Sequence, residues 1–339
     1  MTTELQHTQY EIAADAMGDA LAEILVPAKS TKLLEFPQFS SLTGGFRPNE
    51  FTILCGSTGT GKTTLLANWS NSLIGQEVPH FVASVETGRH DFIRRVISAR
   101  VGKDWNTGDA VPLDEIKSKM NEFELQRMQK AKLYLSLYDN RFSVEQLIYD
   151  IQYMVENHGV KVCFIDNLNF FMEVTSAQQS VVEMDRVIHE LIIFVKHCPV
   201  HVVMVMHPKK TMDGRVDSEF DIKGSSTAVQ EAQNVLLFNR PKEDLIEQGI
   251  AQWFDRELTI SKMRRRGIAV GAKVILEGVD GVSYKEGALI CKNKAIPTTS
   301  HSVSVSIESN GNSTQNTYRV ASTGSTKHKN WRGARQQID

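Results

Sequence analysis

The feature that most constrains this chain is a glycine-rich loop that directly follows a short apolar run. The run is FTILC (51–55), and the loop GSTGTGKTT occupies residues 56–64. A strand that leads into G-x-x-x-x-G-K-[ST] and then into a helix is the context in which this pattern binds phosphate groups. The glycines let successive backbone N–H groups point at phosphate oxygens, and the positive end of the following helix adds to the attraction. The sequence therefore predicts a nucleotide site on an α/β fold.

Each residue of this loop has an expected role. Lys62 is expected to reach the β- and γ-phosphates of the nucleotide, and the hydroxyl of Thr63 is expected to hold Mg²⁺. The other residues are expected to surround the phosphates with backbone N–H groups and short side chains. The predicted nucleotide contacts are Gly56, Ser57, Thr58, Gly59, Thr60, Gly61, Lys62, Thr63 and Thr64.

Strand and helix patterns alternate between about residues 33 and 290. Most of the short apolar runs are followed by a segment with helical periodicity, which predicts an α/β fold with a mostly parallel, twisted sheet and helices on both faces. The last two runs follow short helices or none, so the sheet is expected to end in antiparallel additions late in the chain. The predicted strands are 51–55, 80–86, 133–139, 161–166, 201–206, 234–239 and 257–263.

The segments before and after the α/β region differ from it in composition. Apolar residues at helical spacing predict an amphipathic helix over 4–26, so residues 1–32 are expected to form a linker ahead of a core at 33–292. That helix either packs on its own core or docks on a neighbouring subunit. Residues 293–339 are rich in polar residues and poor in apolar ones, which predicts a disordered tail.

Composition limits the compartment and excludes some classes of function. A formal net charge of −2 over 339 residues argues against a globally basic nucleic-acid coat protein. The cysteines lack metal-ligand spacing and are expected to be small buried hydrophobes in a reducing compartment. No apolar stretch is long enough to span a membrane, and the acidic N-terminus resembles neither a signal nor a transit peptide. These features predict a protein of the bacterial or phage-infected host cytoplasm.

Three polar residues end predicted strands, where the carboxyl ends of parallel strands share one edge and ligands bind. Asp166 can support the Mg²⁺ ion, although a strand-end Asp can also cap the next helix. Glu86 can polarise the water that attacks the γ-phosphate. For His207, a structural role and a contact with the γ-phosphate both stay open.

Two basic segments follow these strands. The loop after His207 carries Lys209, Lys210, Arg215 and Lys223, and it is either a solvated surface loop or a DNA-gripping loop driven by the nucleotide. The segment SKMRRRG (261–267) ends a later strand. It is ordinary surface, a contact to a phosphate backbone, or the source of an arginine finger for a neighbouring subunit.

Five segments between residues 35 and 290 carry a family resemblance. They are LTGGFRPNEFTILCGSTGTGKTT, SVET, DNLNFF, VVMVMHPKK and GSSTAVQEAQNVLLFNR. In this order they resemble the ring-forming RecA-like replicative helicases, a family that includes DnaB, the helicase half of phage helicase-primases and mitochondrial Twinkle. The last two segments are the most specific, because RecA recombinases and KaiC-like ATPases differ there. The resemblance implies a RecA-like P-loop NTPase core.

The resemblance also implies roles for residues outside the glycine-rich loop. Glu86 would activate water and Asp166 would support Mg²⁺. His207 and Gln230 would sense the γ-phosphate and pass its state to the 208–223 loop, whose basic residues would face single-stranded DNA in a ring channel.

A later strand departs from the family pattern. The resemblance implies that Lys262 and Arg264 act in trans as finger residues on the next subunit. The family usually continues with an aromatic and a small polar residue, whereas this chain has Arg265 and Arg266. The choice of finger among the three arginines therefore stays open.

The family's function would be unwinding at the replication fork. The resemblance implies a hexameric ring that hydrolyses ATP or dNTP with Mg²⁺, moves along single-stranded DNA, and works with a separate primase, loader or polymerase. A fused primase is not expected, since the sequence has neither a Cys₄ zinc ribbon nor a primase-length N-terminal region. The alternatives are a RecA/RadA-like recombinase filament and a KaiC-like regulatory ATPase that does not act on DNA.

Overall fold

The structure is a computed structural model. It describes residues 17–18, 20–21, 24–25, 29–84, 86–104, 112–120, 122–137, 143–167, 177–209, 214–223, 226–265, 267–291, 294–296, 302–305 and 318–321.

Helices and strands alternate through the first two thirds of the described chain, and strands dominate after that. The strands are β1 Glu50–Cys55, β2 His80–Ser84, β3 Leu133–Leu135, β4 Val162–Asp166, β5 His201–Met206, β6 Asn234–Asn239, β7 Arg256–Met263, β8 Lys273–Val279, β9 Ser283–Cys291, β10 Lys294–Ile296, β11 Ser302–Val305 and β12 Tyr318–Ala321. The α-helices are α1 Pro37–Thr43, α2 Lys62–Gly75, α3 Arg89–Val101, α4 Leu113–Lys119, α5 Glu122–Gln129, α6 Val144–His158, α7 Ala177–His197, α8 Ser226–Glu231 and α9 Glu243–Glu247.

Ten strands form one mixed sheet in the order β10-β9-β8-β7-β6-β1-β5-β4-β2-β3. From β6 to β3 the neighbouring strands are parallel, and β7 to β10 are added antiparallel. Both the parallel core and the late antiparallel additions confirm the prediction. We call the edge where β1, β2, β4, β5 and β6 end the carboxyl edge, and the opposite edge the amino edge.

The central strand β1 separates two buried cores, because successive side chains of a strand point to opposite faces. Phe51 and Ile53 lie in one apolar cluster with side chains of α6 and α7. Leu54 lies in another cluster with side chains of α2 and α3. Helices therefore cover both faces of the parallel sheet, as an apolar run buried along its whole length requires.

A buried carboxylate joins α1 to the antiparallel part of the sheet. Glu286 on β9 accepts hydrogen bonds from the backbone N–H groups of Gln38 (2.6 Å) and Phe39 (2.7 Å). Burial raises the pKa of Glu286 to about 7, although these two hydrogen bonds act to lower it. The contact ties the segment ahead of β1 to β9, far away in the sequence.

The chain termini are described only in part. Six residues of the predicted linker helix are helical, and among them Met17, Leu21, Ile24 and Leu25 are exposed. The rest of 1–28 lies outside the described residues. Within 293–339 the structure describes the short strands β10, β11 and β12, and the prediction of disorder stays a prediction for the remainder.

Two predictions from composition can be compared with the described chain. Cys55, Cys163, Cys198 and Cys291 are free thiols and buried, as expected of small hydrophobes. Among the described residues, no helix is both long enough and apolar enough to cross a lipid bilayer.

Candidate active site

The glycine-rich loop lies between β1 and α2, and its glycines are required by space and by backbone conformation. Gly59 and Gly61 have positive φ angles of 76° and 90°, a region that favours glycine. A Cβ atom on Gly56 would overlap the carbonyl oxygen of Phe238, and one on Gly61 would overlap the hydroxyl of Tyr284. The chain therefore forms a tight cradle that side chains would fill, immediately before the N-terminus of a helix, where anions bind.

Lys62 places a cation in this cradle. Its side chain is buried, and Nζ donates to the carbonyl oxygens of Gly56 (2.7 Å) and Ser57 (2.9 Å). Burial lowers the pKa of Lys62, and the negative charge of Asp166 is the strongest influence that opposes this shift. The ammonium group is thus bonded to neutral backbone carbonyls. A phosphate oxygen can replace them, because it is a stronger, charge-assisted acceptor.

Thr63 and Asp166 meet across the carboxyl edge. The Thr63 hydroxyl donates to Oδ2 of Asp166 at 2.8 Å. Burial raises the pKa of Asp166, and the Thr63 hydrogen bond is the strongest influence that lowers it. No group of three His, Cys, Asp or Glu side chains within the described ranges makes a metal site by itself. A hydroxyl and one carboxylate suit Mg²⁺, which usually takes its remaining oxygens from phosphate and water.

Asn167 links the two other predicted strand-end residues. Its Nδ2 donates to Oε2 of Glu86 and lies 3.1 Å from Nε2 of His207. No role was predicted for Asn167. A polar residue directly after Asp166, at the edge where ligands bind, was the available signal. The amide fixes the positions of an exposed carboxylate and a half-buried imidazole relative to each other.

His207 has a nitrogen atom to offer a ligand. Its Nδ1 is buried and has no hydrogen-bond partner among the residues that the structure describes, a costly arrangement unless something binds there. Burial lowers the pKa of His207, and the positive charge of Lys62 lowers it further. Since the ordinary value is 6.5, the imidazole is neutral at pH 7. The glycine-rich cradle, the Thr63–Asp166 pair and this free ring nitrogen together fit a nucleoside triphosphate with Mg²⁺.

The loop that follows His207 is closed at its base. The backbone N–H of Lys223 donates to the His207 carbonyl (3.1 Å), and Pro208 forms a bridge with Ile222. The backbone N–H of Lys209 donates to the Asp221 carbonyl at 2.7 Å. The backbone directly after His207 is therefore bonded to the backbone at the far end of the loop.

The four predicted DNA contacts have different surroundings. Lys209 and Lys223 are exposed, and Lys210 lies outside the described residues. Arg215 differs, because its guanidinium is largely buried against the Glu257 carboxylate (3.3 Å) and the Arg240 carbonyl. The prediction that Arg215 contacts DNA does not fit this placement, in which the arginine anchors the loop to the sheet.

Gln230, Lys262 and Arg264 lie together at the amino edge, away from Lys62. The Gln230 carbonyl accepts from Lys262 Nζ (2.6 Å) and from Arg264 (2.5 Å). The six-residue strand β1 separates this edge from the glycine-rich loop by roughly 20 Å. Within the described residues, no contact joins Gln230 to His207, so the structure groups Gln230 with the finger candidates.

The neighbouring arginines have other surroundings. Arg265 pairs with the buried carboxylate of Glu50 at 3.2 Å. Arg266 lies outside the described residues. Arg264 and Lys262 therefore lie side by side on the Gln230 carbonyl, whereas Arg265 is paired with Glu50.

Comparisons with known proteins agree with this geometry. The family model described as "DnaB-like helicase C terminal domain" matches residues 33–275. A structure described as "The Structure Of A DnaB-Like Replicative Helicase And Its Interactions With Primase" has a TM-score of 0.64 at 16% identity, over 82% of this chain and 67% of that chain. A second structure, described as an ATPase domain, has a TM-score of 0.63 at 16% identity, over 79% of this chain and 95% of that chain. Because the family match spans well over half of the sequence, this chain belongs to the DnaB-like helicase C-terminal domain family, which has a RecA-like fold and the ATPase function of replicative helicases.

Proposed function

We propose that this chain is a replicative helicase motor, which couples hydrolysis of ATP or dNTP to movement along single-stranded DNA and to duplex unwinding. The observation that carries the proposal is the connection at His207. The His207 imidazole contacts Asn167, which in turn contacts Glu86, and the His207 carbonyl accepts a hydrogen bond from Lys223 at the end of the 208–223 loop. A change at the γ-phosphate can therefore reach the basic loop through a single residue.

In this proposal each residue at the carboxyl edge has a separate role in hydrolysis. Lys62 leaves the backbone carbonyls of the loop and binds the β- and γ-phosphates. Thr63 and Asp166 would hold Mg²⁺, and when bound this ion would neutralise charge on the phosphate oxygens. Glu86 is exposed and accepts a hydrogen bond from Asn167, so it can orient and polarise the attacking water. His207 donates from Nδ1 to the γ-phosphate.

The proposed assembly is a homo-oligomeric, hexameric ring completed by the residues at the amino edge. Lys262 and Arg264 lie about 20 Å from the Lys62 loop of their own chain, a distance that a side chain does not span. They can act on a γ-phosphate only if it belongs to a neighbouring copy, which is a head-to-tail contact of the kind that closes into rings. Gln230, which contacts both of them, would respond to the neighbour's nucleotide. The exposed apolar residues of 17–25 would dock on the adjacent subunit.

The deciding experiment measures ATPase activity with and without single-stranded DNA and images the particles formed with nucleotide. We expect single-stranded DNA to stimulate turnover and the particles to be closed rings. Turnover indifferent to DNA would favour a KaiC-like regulatory ATPase, and open filaments would favour a recombinase. A pull-down with a separately purified primase tests whether this chain shares the partner named for the structure of similar fold.

Replacing Lys209 and Lys210 together by alanine should weaken binding to single-stranded DNA and reduce its dependence on salt. For each phosphate group that the variant no longer binds, the slope of log K against log salt should fall by about 0.7. Fluorescence anisotropy over a salt series measures both quantities. The matched control replaces Lys130 and Lys132, two exposed lysines in the connection between α5 and β3. Equal effects of the two double variants would move the DNA site elsewhere.

A further inference from the structure

The segment 214–217 of the loop is fastened to the end of β6 by a buried asparagine. Asn239 is the last residue of β6 and is 2% exposed. Its Oδ1 accepts from the backbone N–H of Val216 at 2.9 Å, and its Nδ2 donates to the Val216 carbonyl at 2.8 Å. Both bonds are buried, so the side chain replaces a strand partner for Val216 and fixes this backbone firmly.

The residues on either side of Val216 are held as well. Arg215 reaches the Arg240 carbonyl and the carboxylate of Glu257, which also pairs with Lys273. Glu257 is 1% exposed, and removing one partner of such a buried charged group is strongly unfavourable. The segment is thus attached to the end of β6 and to β7, and it does not behave as a free surface loop.

On its other side, the same segment touches the phosphate loop. The Ser57 hydroxyl donates to the carbonyl of Gly214, and the Ser57 carbonyl accepts from Lys62 Nζ at 2.9 Å. Gly214 has a positive φ of 69°, which allows the chain to turn at this contact. One serine thereby joins the lysine that binds phosphate to a segment of the basic loop.

We propose that Asn239 is a positioning residue that holds the 214–217 segment against Ser57, so that the 208–223 loop responds to nucleotide through the phosphate loop as well as through His207. When Lys62 exchanges the Ser57 carbonyl for a phosphate oxygen, the Ser57 peptide loses a charged partner and can shift. Because Asn239 holds Val216 against β6, the segment cannot follow Ser57, so the shift changes the contact between Ser57 and Gly214. This inference rests on the proposed function, since it concerns how the same loop is controlled.

The test compares Asn239→Ala with Asn234→Ala. Asn234 is the first residue of β6, is also buried, and also makes two side-chain hydrogen bonds, to Glu50 and Thr52. The two variants therefore remove the same side chain from opposite ends of one strand. The readout is the ratio of single-stranded DNA affinities with and without a non-hydrolysable ATP analogue, alongside kcat and KM for ATP without DNA.

We expect Asn239→Ala to reduce that affinity ratio by at least about fivefold, a typical coupling between two sites, while kcat without DNA changes by less than about twofold. Asn234→Ala should leave the ratio unchanged. An unchanged ratio in Asn239→Ala, or equal losses in both variants, would overturn the proposal.

A measurement on the unaltered chain keeps the proposal testable if Asn239→Ala does not fold. Hydrogen exchange at the backbone amides of 214–217 should change when the ATP analogue binds. Slow exchange of the Val216 amide reports its hydrogen bond to Asn239. Exchange that is the same with and without nucleotide would contradict the link. A failure of the proposed function would give a different result. The chain would then hydrolyse ATP without binding DNA, but the nucleotide would still change hydrogen exchange at 214–217.

Discussion

Replacing Lys62 by alanine is expected to abolish hydrolysis, with a loss in kcat of at least about 10²- to 10³-fold, the effect of removing one preorganised donor to the charge that develops in a transition state. Lys62 Nζ lies in the glycine-rich cradle on two backbone carbonyls, and burial strengthens its attraction for phosphate. Alanine leaves the cradle without this cation. Steady-state release of phosphate measures the effect.

The matched control is Lys196→Ala, which removes an exposed lysine near the end of α7. It should hydrolyse ATP at the unaltered rate. Circular dichroism of both variants shows whether the fold is retained, which matters because Lys62 also bridges the carbonyls of Gly56 and Ser57. Near-normal turnover by a folded Lys62→Ala chain would remove the glycine-rich loop from the active site.

The sequence predicted the carboxyl edge of the site because the information there is local. Strand, loop and helix are contiguous around Lys62, and Asp166 and His207 each end or directly follow an apolar run. Since parallel strands end at one edge, three separate runs were enough to bring these residues together. The structure confirms the parallel core by the pairing of β1 with β5 and of β4 with β2.

Contacts between distant segments could not be predicted in this way. The guanidinium of Arg256 donates to the carbonyl of Thr60 at 2.6 Å, and no local pattern links two residues so far apart. The same holds for Arg215, where the basic character of the loop suggested DNA and a buried carboxylate on β7 determined the position. Side-chain contacts of this kind depend on how the sheet packs, and composition and periodicity do not predict that packing.

The placement of the late basic strand is the most informative of these long-range results. Because β7 is antiparallel to β6, its carboxyl end lies at the amino edge, opposite the phosphate cradle. Burial lowers the pKa of Lys262, and the adjacent positive charge of Arg264 lowers it further. Two cations held together on one backbone carbonyl are well placed to receive an anion from outside the chain.

A mixture of Arg264→Ala and Glu86→Gln chains should therefore recover activity that neither variant has alone. A chain with Arg264→Ala keeps its Glu86 but receives no finger from a copy of itself. When a Glu86→Gln chain sits beside it, that neighbour supplies Arg264 and the site is complete. Random assembly at equal amounts makes about a quarter of the head-to-tail interfaces complete. ATPase rates across a titration of the two chains, assembled with nucleotide and single-stranded DNA, measure the recovery.

The controls separate a shared site from simple averaging of subunits. The double variant Glu86→Gln/Arg264→Ala, mixed with either single variant, leaves every site incomplete and should recover nothing. Arg265→Ala, whose arginine pairs with Glu50 of its own chain, keeps both Glu86 and Arg264 and should be active without a second variant. Activity that follows the average of the two parent chains at every ratio would mean that Arg264 acts within its own chain. That outcome conflicts with the separation of roughly 20 Å between the two ends of β1 unless the chain refolds on assembly, so complementation tests the structure and the mechanism together.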